Sequence, residues 1–461
     1  MGALGGLSAR AARRENGGAR PTVAAGGTCL DNPPMSTPRS LPVLMPRMGD
    51  QRWSCQSCTK CCRDLVVHLF EQDRERIDKH GWRDRLQVAP YVRLGRGWVL
   101  NKREDGACVF LDENGLCSIH VQQGADAKPF ACRLYPFSVR PVRHGWQVSL
   151  RFDCPSAAAS KGESLDRAGV WLGQLLNKHE MPHRFHKDSA DFKRGLPATA
   201  EEIDALQTRL LRWVKDSSRS MNDRLIGAAR LTTTLTEAKL EKIRGPRFAE
   251  LLDLLFRALP TEIASASEPP HSRQRGMLRQ LAFAHAEHLN LAQMRAGLVT
   301  QWHHRWRQLR YARRFRKGVG LVPRPPNATR DPTFADVESV GPAREQVQEI
   351  ESLLLRYVLG RLTGQSVFGE GYYGWPILTG LPALWLSIAT AGWWARYHAA
   401  ADDRPVISLA DVAAAIGMVD RAASRLPILG AMPERIRINY LLRDDGVARL
   451  VCAYAFLDDT K

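Results

Sequence analysis

Residues 55–62 read CQSCTKCC, and this stretch decides how the N-terminal third of the chain is organised. Cys55, Cys58 and Cys61 recur at every third position, so the intervening pairs form tight turns that aim sulfurs at one point; Cys62 follows directly. The same C-x2-C-x2-C opening begins the bacterial ferredoxin ligand run, which a fourth cysteine followed by proline completes. Cys154-Pro155 is the remote candidate for that place and Cys62 the adjacent one. Neighbouring cysteines reach one mononuclear ion only with backbone strain, so Cys61 and Cys62 suit different metals, or one of them is a packing or redox thiol. Further out, Cys108, Cys117, Cys132 and Cys154 sit in turn-like contexts, so eight of the ten cysteines fall between Cys55 and Cys154. They suffice for one centre with spares or for two four-ligand centres, and any one of the last four could equally be a buried small hydrophobe. All-thiolate coordination suits tetrahedral zinc and iron–sulfur clusters alike. Paired C-x2-C motifs across a short loop are missing, and the triplet-plus-one spacing leans toward iron–sulfur, with 4Fe-4S favoured over zinc. No C-x3-C-x2-C arrangement of the radical type can be drawn.

Around these cysteines the patterns are short and β-like. Tyr91–Leu94 and Trp98–Asn101 flank a glycine turn, Cys108–Leu111 and Leu116–Ile119 flank another, and Phe137–Val142 and Trp146–Phe152 flank a third. In the last pair Trp146, Val148, Leu150 and Phe152 alternate with polar residues, as in a half-buried strand. The charged stretch Leu69–Gly81 is expected to be helical. Beyond Pro155 the three- and four-residue apolar spacing of helices takes over: Leu165 to His179, Phe248 to Leu259, Met277 to Leu298 and Ile350 to Leu362. Thr199 followed by Glu202 is a capping-box signature ahead of Ile203, Leu206 and Leu210. The expected fold is therefore mainly α with a small α+β cysteine-rich metal-binding module near the N-terminus. Its divisions are a disordered extension over 1–52, the module over 53–155, and a helical domain over 160–461 with a loop or linker near 317–342.

The composition belongs to an ordered globular protein: 44% hydrophobic and 25% charged, with a formal net charge of +18 that weakly favours an acidic partner. It excludes a collagen, a coiled coil and a small disulfide-stapled secreted domain. The Arg-rich, acid-poor first fifty residues lack the apolar core of a signal peptide, and a floppy leader or a start upstream of Met35, Met45 or Met48 accounts for them. A reducing, cytoplasmic setting follows, in which clustered thiols hold metal rather than pair as disulfides. From Gly371 to Ala395 there is no charged residue, long enough to cross a bilayer. Pro376, Gly380 and Pro382 interrupt it, so a buried helix is favoured over a membrane span, with unbroken helix expected from Ala383 to Ala395.

Four submotifs in order (CQSCTKCC, residues 106–111 GACVFL, 115–120 GLCSIH and 128–137 KPFACRLYPF) resemble the YkgJ-type cysteine-cluster family, a zinc- or iron-chelating domain. The resemblance covers about residues 53 to 155, and Lys128 stands where the family more often has arginine, which keeps the charge. Residues 350–362 and the apolar helix after them more loosely resemble the C-terminal part of flagellin lysine-N-methylase. That resemblance implies S-adenosylmethionine as a cofactor and protein lysine amines as substrate.

Three functions follow. The first is a metal-binding protein holding an iron–sulfur cluster or zinc through Cys55, Cys58, Cys61, Cys62, Cys108, Cys117, Cys132 and Cys154, of unknown reaction; Cys29 and Cys452 are expected to be dispensable. The second is an S-adenosylmethionine-dependent protein lysine methylase, although Gly95-Arg96-Gly97 and Gly318-Val319-Gly320 are only fragments of the glycine-rich turn of a Rossmann cofactor site. The third and weakest is a nucleic-acid-associated protein using the basic helix over 301–317. That helix is expected instead to dock through Trp302, Trp306, Leu309 and Ala312 with a solvated arginine face. His68, His120 and His144 are expected to be structural, and Arg133 and Tyr135 to donate to cluster sulfurs or anchor their turn. The alternating strand 146–152 should be covered by the helices that follow it, placing any active site at the junction.

Overall fold

A run of alternating apolar residues needs a cover, and the two halves of the cysteine window obtain theirs from different places. The computed structural model describes residues 42–142, 145–178, 190–264, 268–323 and 331–458. The first half of the window begins with helix α1 (Lys60–Asp64), whose entry passes through Ser57 and Thr59, both left-handed at φ 51° and 59°. A three-stranded antiparallel sheet follows, built from β3 (His68–Leu69), β4 (Tyr91–Leu94) and β5 (Gly97–Leu100) in the order β3-β5-β4. Helices α2 (Glu71–Lys79) and α3 (Trp82–Leu86) pack against it. Ile77, Trp82, Leu100, Val109, Phe110 and Ile119 close a small core of their own, with Trp82 edge-on to Phe110 at 5.2 Å.

The second half contains α4 (Ser118–Gln123), α5 (Phe130–Leu134) and the hairpin β6 (Phe137–Val142) and β7 (Gly145–Leu150). Its inward side chains Phe137, Val148, Leu150 and Phe152 belong to the large core of the helical region. The Phe152 ring meets Tyr357 edge-on at 5.4 Å, and the Phe152 N–H donates to the buried Asp420 carboxylate at 2.8 Å. The helices thus cover the alternating strand as its pattern requires. Segment 116–119 departs from expectation: only an isolated bridge joins Leu111 to Cys117, and Ser118 and Ile119 are helical.

Part of the stretch expected to be a disordered extension is ordered. Strand β1 (Val43–Leu44) runs parallel to β7, β2 (Arg52–Trp53) pairs with β8 (Glu163–Ser164), and Met48 is buried. The apolar side chains at 43–48 find surface between the hairpin and the helices, which composition alone hid. Residues 1–41, and with them Cys29, lie outside the described residues.

The described residues from Pro42 onward form one compact unit. Its helical part comprises α6 (Pro155–Ala158), α7 (Leu165–Lys178), α8 (Ala200–Lys215), α9 (Met221–Glu237) and α10 (Pro246–Ala264), with a short β9–β10 pair (Asp191–Lys193, Leu196–Pro197) before α8. The Thr199 hydroxyl accepts from the Glu202 N–H at 3.2 Å, and the Glu202 carboxylate accepts from the Thr199 N–H at 3.0 Å, the box expected at the start of α8. Met277 to Leu298 is not one helix: α11 (Ser272–Ala286) ends, α12 (Leu291–Arg295) restarts behind an Asn290 cap, and α13 (Leu298–Lys317) follows. Nor is 317–342 only a linker, because α14 (Phe334–Ser339) carries a Thr333–Asp336 capping box and buries Phe334 and Val337. Helices α15 (Val347–Thr363), α16 (Ile377–Ala401), α17 (Leu409–Ala422), α18 (Met432–Leu441) and α19 (Gly446–Ala453) complete the region.

Helix α16 is its axis. It is long and apolar enough for a membrane span, yet 94% of its apolar window is buried inside the protein. The Trp385 indole donates to the Thr232 hydroxyl at 2.9 Å and the Trp394 indole to the Ala282 carbonyl at 3.0 Å, so both of these indole N–H groups are satisfied by neighbouring helices. Pro382 lies inside this helix rather than breaking it; so near the N-terminus, its missing N–H forfeits a single bond, to the carbonyl of Leu378. Gly380 and Gly392 are required by close approach, since a Cβ would run into the carbonyls of Val367 and Tyr454 respectively.

Candidate metal centre

Five of the eight clustered cysteines lie at one or the other of two cores. Cys108 is buried in the small core, and Cys62, Cys117 and Cys132 are half-buried against the same core. Backbone bonds hold three of them together. The Cys108 N–H donates to the Cys62 carbonyl at 2.9 Å, and the Leu111 N–H, bridged to Cys117, donates to the Cys108 carbonyl at 2.9 Å. Cys132 lies on α5, which the buried Asp73 anchors by accepting the Phe130 N–H at 3.0 Å. Burial pushes the Cys132 thiol up, and the neighbouring Cys108, Cys117 and Cys61 push it further. The Cys108 thiol is pushed up to about 11, mainly by burial.

The other neighbourhood lies on the large-core side. Cys154 is buried there, at the start of α6, and close enough to Cys58 for the two charges to interact. Burial pushes the Cys154 thiol up, against the lowering influence of the Ala157 backbone N–H, the Trp53 indole N–H and the Ser156 backbone N–H. The Trp53 N–H is itself buried and makes no hydrogen bond of ordinary geometry. Ser54 ties the entry to this side, its N–H donating to Lys161 O at 2.9 Å and its carbonyl accepting from the Ser156 hydroxyl at 2.5 Å. Cys55 and Cys58 are exposed. Cys61 stands between the groups: its Sγ is 4.0 Å from Cys62 Sγ, and that contact, with burial, pushes its thiol far up.

Among the described residues no three His, Cys, Asp or Glu side chains converge on a single ion-binding point. The donor set nevertheless fits a soft metal in kind and number, eight thiols in one window, with Cys154 beside an orphaned buried N–H of the sort that donates to cluster sulfurs. His68 on β3 and His120 on α4 are exposed and His80, just past α2, is half-buried; His144 lies outside the described residues. Arg133 pairs with Asp126 at 3.5 Å and the Tyr135 hydroxyl donates to Asp153 at 3.3 Å, so both anchor their turn.

Sequence patterns did not point to the polar cluster beside Cys62. The Lys102 ammonium donates to the Cys62 carbonyl at 2.5 Å and to Arg63 O at 3.2 Å. Burial lowers its pKa, against the raising influence of Cys108 and Cys62. Asp64, which burial alone would push up, is held below its ordinary value by the Lys60 hydrogen bond and by Arg421 at 3.2 Å. His288 reaches across from the helical region to the Asp64 carbonyl at 3.1 Å, its pKa lowered by burial and by Arg421. No motif signals such a cluster, because its members come from α1, the β5–α4 loop, the α11–α12 loop and α17.

A thiol-rich module set against the core of a helical protein is the class that this fold and site define. Residues 54–156 match the CxxCxxCC family model, described as a "putative zinc- or iron-chelating domain", and the module belongs to that family. The helical remainder lies outside the match, and neither the curated proteins nor the solved structures contain a match to the chain.

Proposed function

We propose that the module chelates iron or zinc through two thiolate sets: Cys55, Cys58 and Cys61 with Cys154, and Cys62 with Cys108, Cys117 and Cys132. What supports this reading is that Cys62, Cys108, Cys117 and Cys132 gather at the small core while Cys154 sits in the large one within electrostatic reach of Cys58, the adjacent Cys61 and Cys62 marking the division. The first set keeps the triplet-plus-proline order of an iron–sulfur ligand run, which favours a 4Fe-4S cluster there; the second suits zinc or iron equally. An iron–sulfur cluster, when bound, supplies electron transfer. The chain's own residues would tune the two sites: Trp53 offers an N–H to the Cys154 sulfur at the first, and Lys102 brings a cation beside Cys62 and Cys108 at the second. A reducing compartment such as the cytoplasm keeps the thiols available. In the stretch 350–362, Ile350, Leu353, Leu354 and Tyr357 all lie in the large core.

Anaerobic purification followed by metal, acid-labile sulfide and absorbance measurements tests the proposal. Cys58→Ser with Cys154→Ser should remove one centre, and Cys108→Ser with Cys132→Ser the other, each leaving part of the metal; Cys452→Ser should leave it all. Zinc without iron or sulfide removes the iron–sulfur assignment, complete metal loss in either double variant removes the partition, and absence of any metal removes the function.

A further inference from the structure

Helix α13 does not dock as its sequence suggests. Its packed side is Tyr311 and Phe315, with Phe315 against Phe283 at 5.2 Å, while Val299, Trp302, Trp306 and Leu309 are 72%, 59%, 50% and 56% exposed. These four recur at three- and four-residue steps and so form one outward stripe, along which Trp302 and Trp306 touch at 5.9 Å between ring centres. The helix holds six arginines and one lysine and no acidic residue, and among the described residues none of the seven cations is paired with a carboxylate. Helical geometry places Arg305 on one flank of the stripe, Arg310 and Arg314 on the other, and Arg313 and Lys317 in line beyond it.

We propose that this face seats the protein on an anionic lipid bilayer, with α13 lying in the plane of the interface. Two tryptophans suit the headgroup boundary, and long arginine side chains on either flank reach lipid phosphates while their stems stay with the apolar stripe. The density of unpaired positive charge selects an anionic surface. The stripe is the outward ridge of a surface helix, which suits a flat interface better than the concave groove in which single-stranded nucleic acid is usually bound. This inference is independent of the metal centre.

Full-length protein is sedimented with vesicles of phosphatidylcholine alone and of phosphatidylcholine with phosphatidylglycerol. Binding is expected only to the anionic vesicles and should weaken with added salt. Trp302→Ser with Trp306→Ser, and separately Arg310→Glu with Arg313→Glu, should each lower the affinity about tenfold or more. Both should keep the wild-type circular dichroism and melting midpoint, because the altered side chains are exposed. No binding to anionic vesicles, or both double variants binding like the wild type, overturns the inference. So does retention on single-stranded DNA without vesicle binding, which would assign the face to nucleic acid.

Discussion

The small core around Trp82 and Phe110 and the large core around α16 are held together by different means. In the large core, whole indoles and aliphatic side chains disappear from water, and the Trp385 and Trp394 N–H groups among them are matched by neighbouring helices. Area removed from water stabilises it directly, at about 25 cal/mol per Å². The small core joins two-to-four-residue strands to short helices, and four of its members are thiols. So little apolar area leaves cohesion to whatever the sulfurs bind. One compact unit therefore carries two parts with separate vulnerabilities.

The largest effect should come from breaking the axis. Gly392→Leu drives a side chain into the Tyr454 carbonyl and should cost roughly 5 kcal/mol or more, enough to abolish the cooperative thermal transition of the helical region. Removing metal should strike the other part. Under a strong chelator, limited proteolysis should open residues 60–134 while segments beyond 200 resist, because bound metal supplies cohesion that the small core lacks. Identical digestion with and without metal would show that the small core stands alone.

A variant at the seam sharpens the contrast. Asp420 accepts the Phe152 N–H and faces Arg361 at 3.6 Å, both from inside the protein. Asp420→Ala should cost about 3 kcal/mol in urea denaturation, because it leaves a buried guanidinium unpaired, and it should loosen the hairpin before the small core. The smallest effect is a dependence on pH. Glu202, hydrogen-bonded by Arg244, has its carboxyl pulled down to about 2. A depressed folded-state value means stability that is present at neutral pH and lost as the pH falls below the ordinary carboxylate range toward 2. Glu202→Gln should flatten that acid loss by at most about 3 kcal/mol, measured as the change in unfolding free energy between neutral and acid pH.

What was legible in the sequence follows from what is local. The capping box at Thr199 and the strands Tyr91–Leu94 and Phe137–Val142 encode their structure within a few residues. Helix α13 was misjudged because it carries two apolar stripes: periodicity shows that a helix has faces, whereas the partner chooses between them. Here Phe283 of α11 takes Phe315 and Tyr311, and the larger indoles stay outside. His288 and Arg421 meet Asp64 only through the tertiary fold, beyond the reach of any spacing rule.

The hairpin β6–β7 has a practical consequence. Family boundaries mark where sequences are alike, and here they run from 54 to 156, through the middle of a shared interior. A fragment cut at those limits would carry both sets of thiols but would bare Val148, Leu150 and Phe152 to solvent and lose the parallel partner strand at Val43–Leu44. Such an excised piece should self-associate through its naked edge and sticky face. The unit that is inherited is thus smaller than the unit that folds.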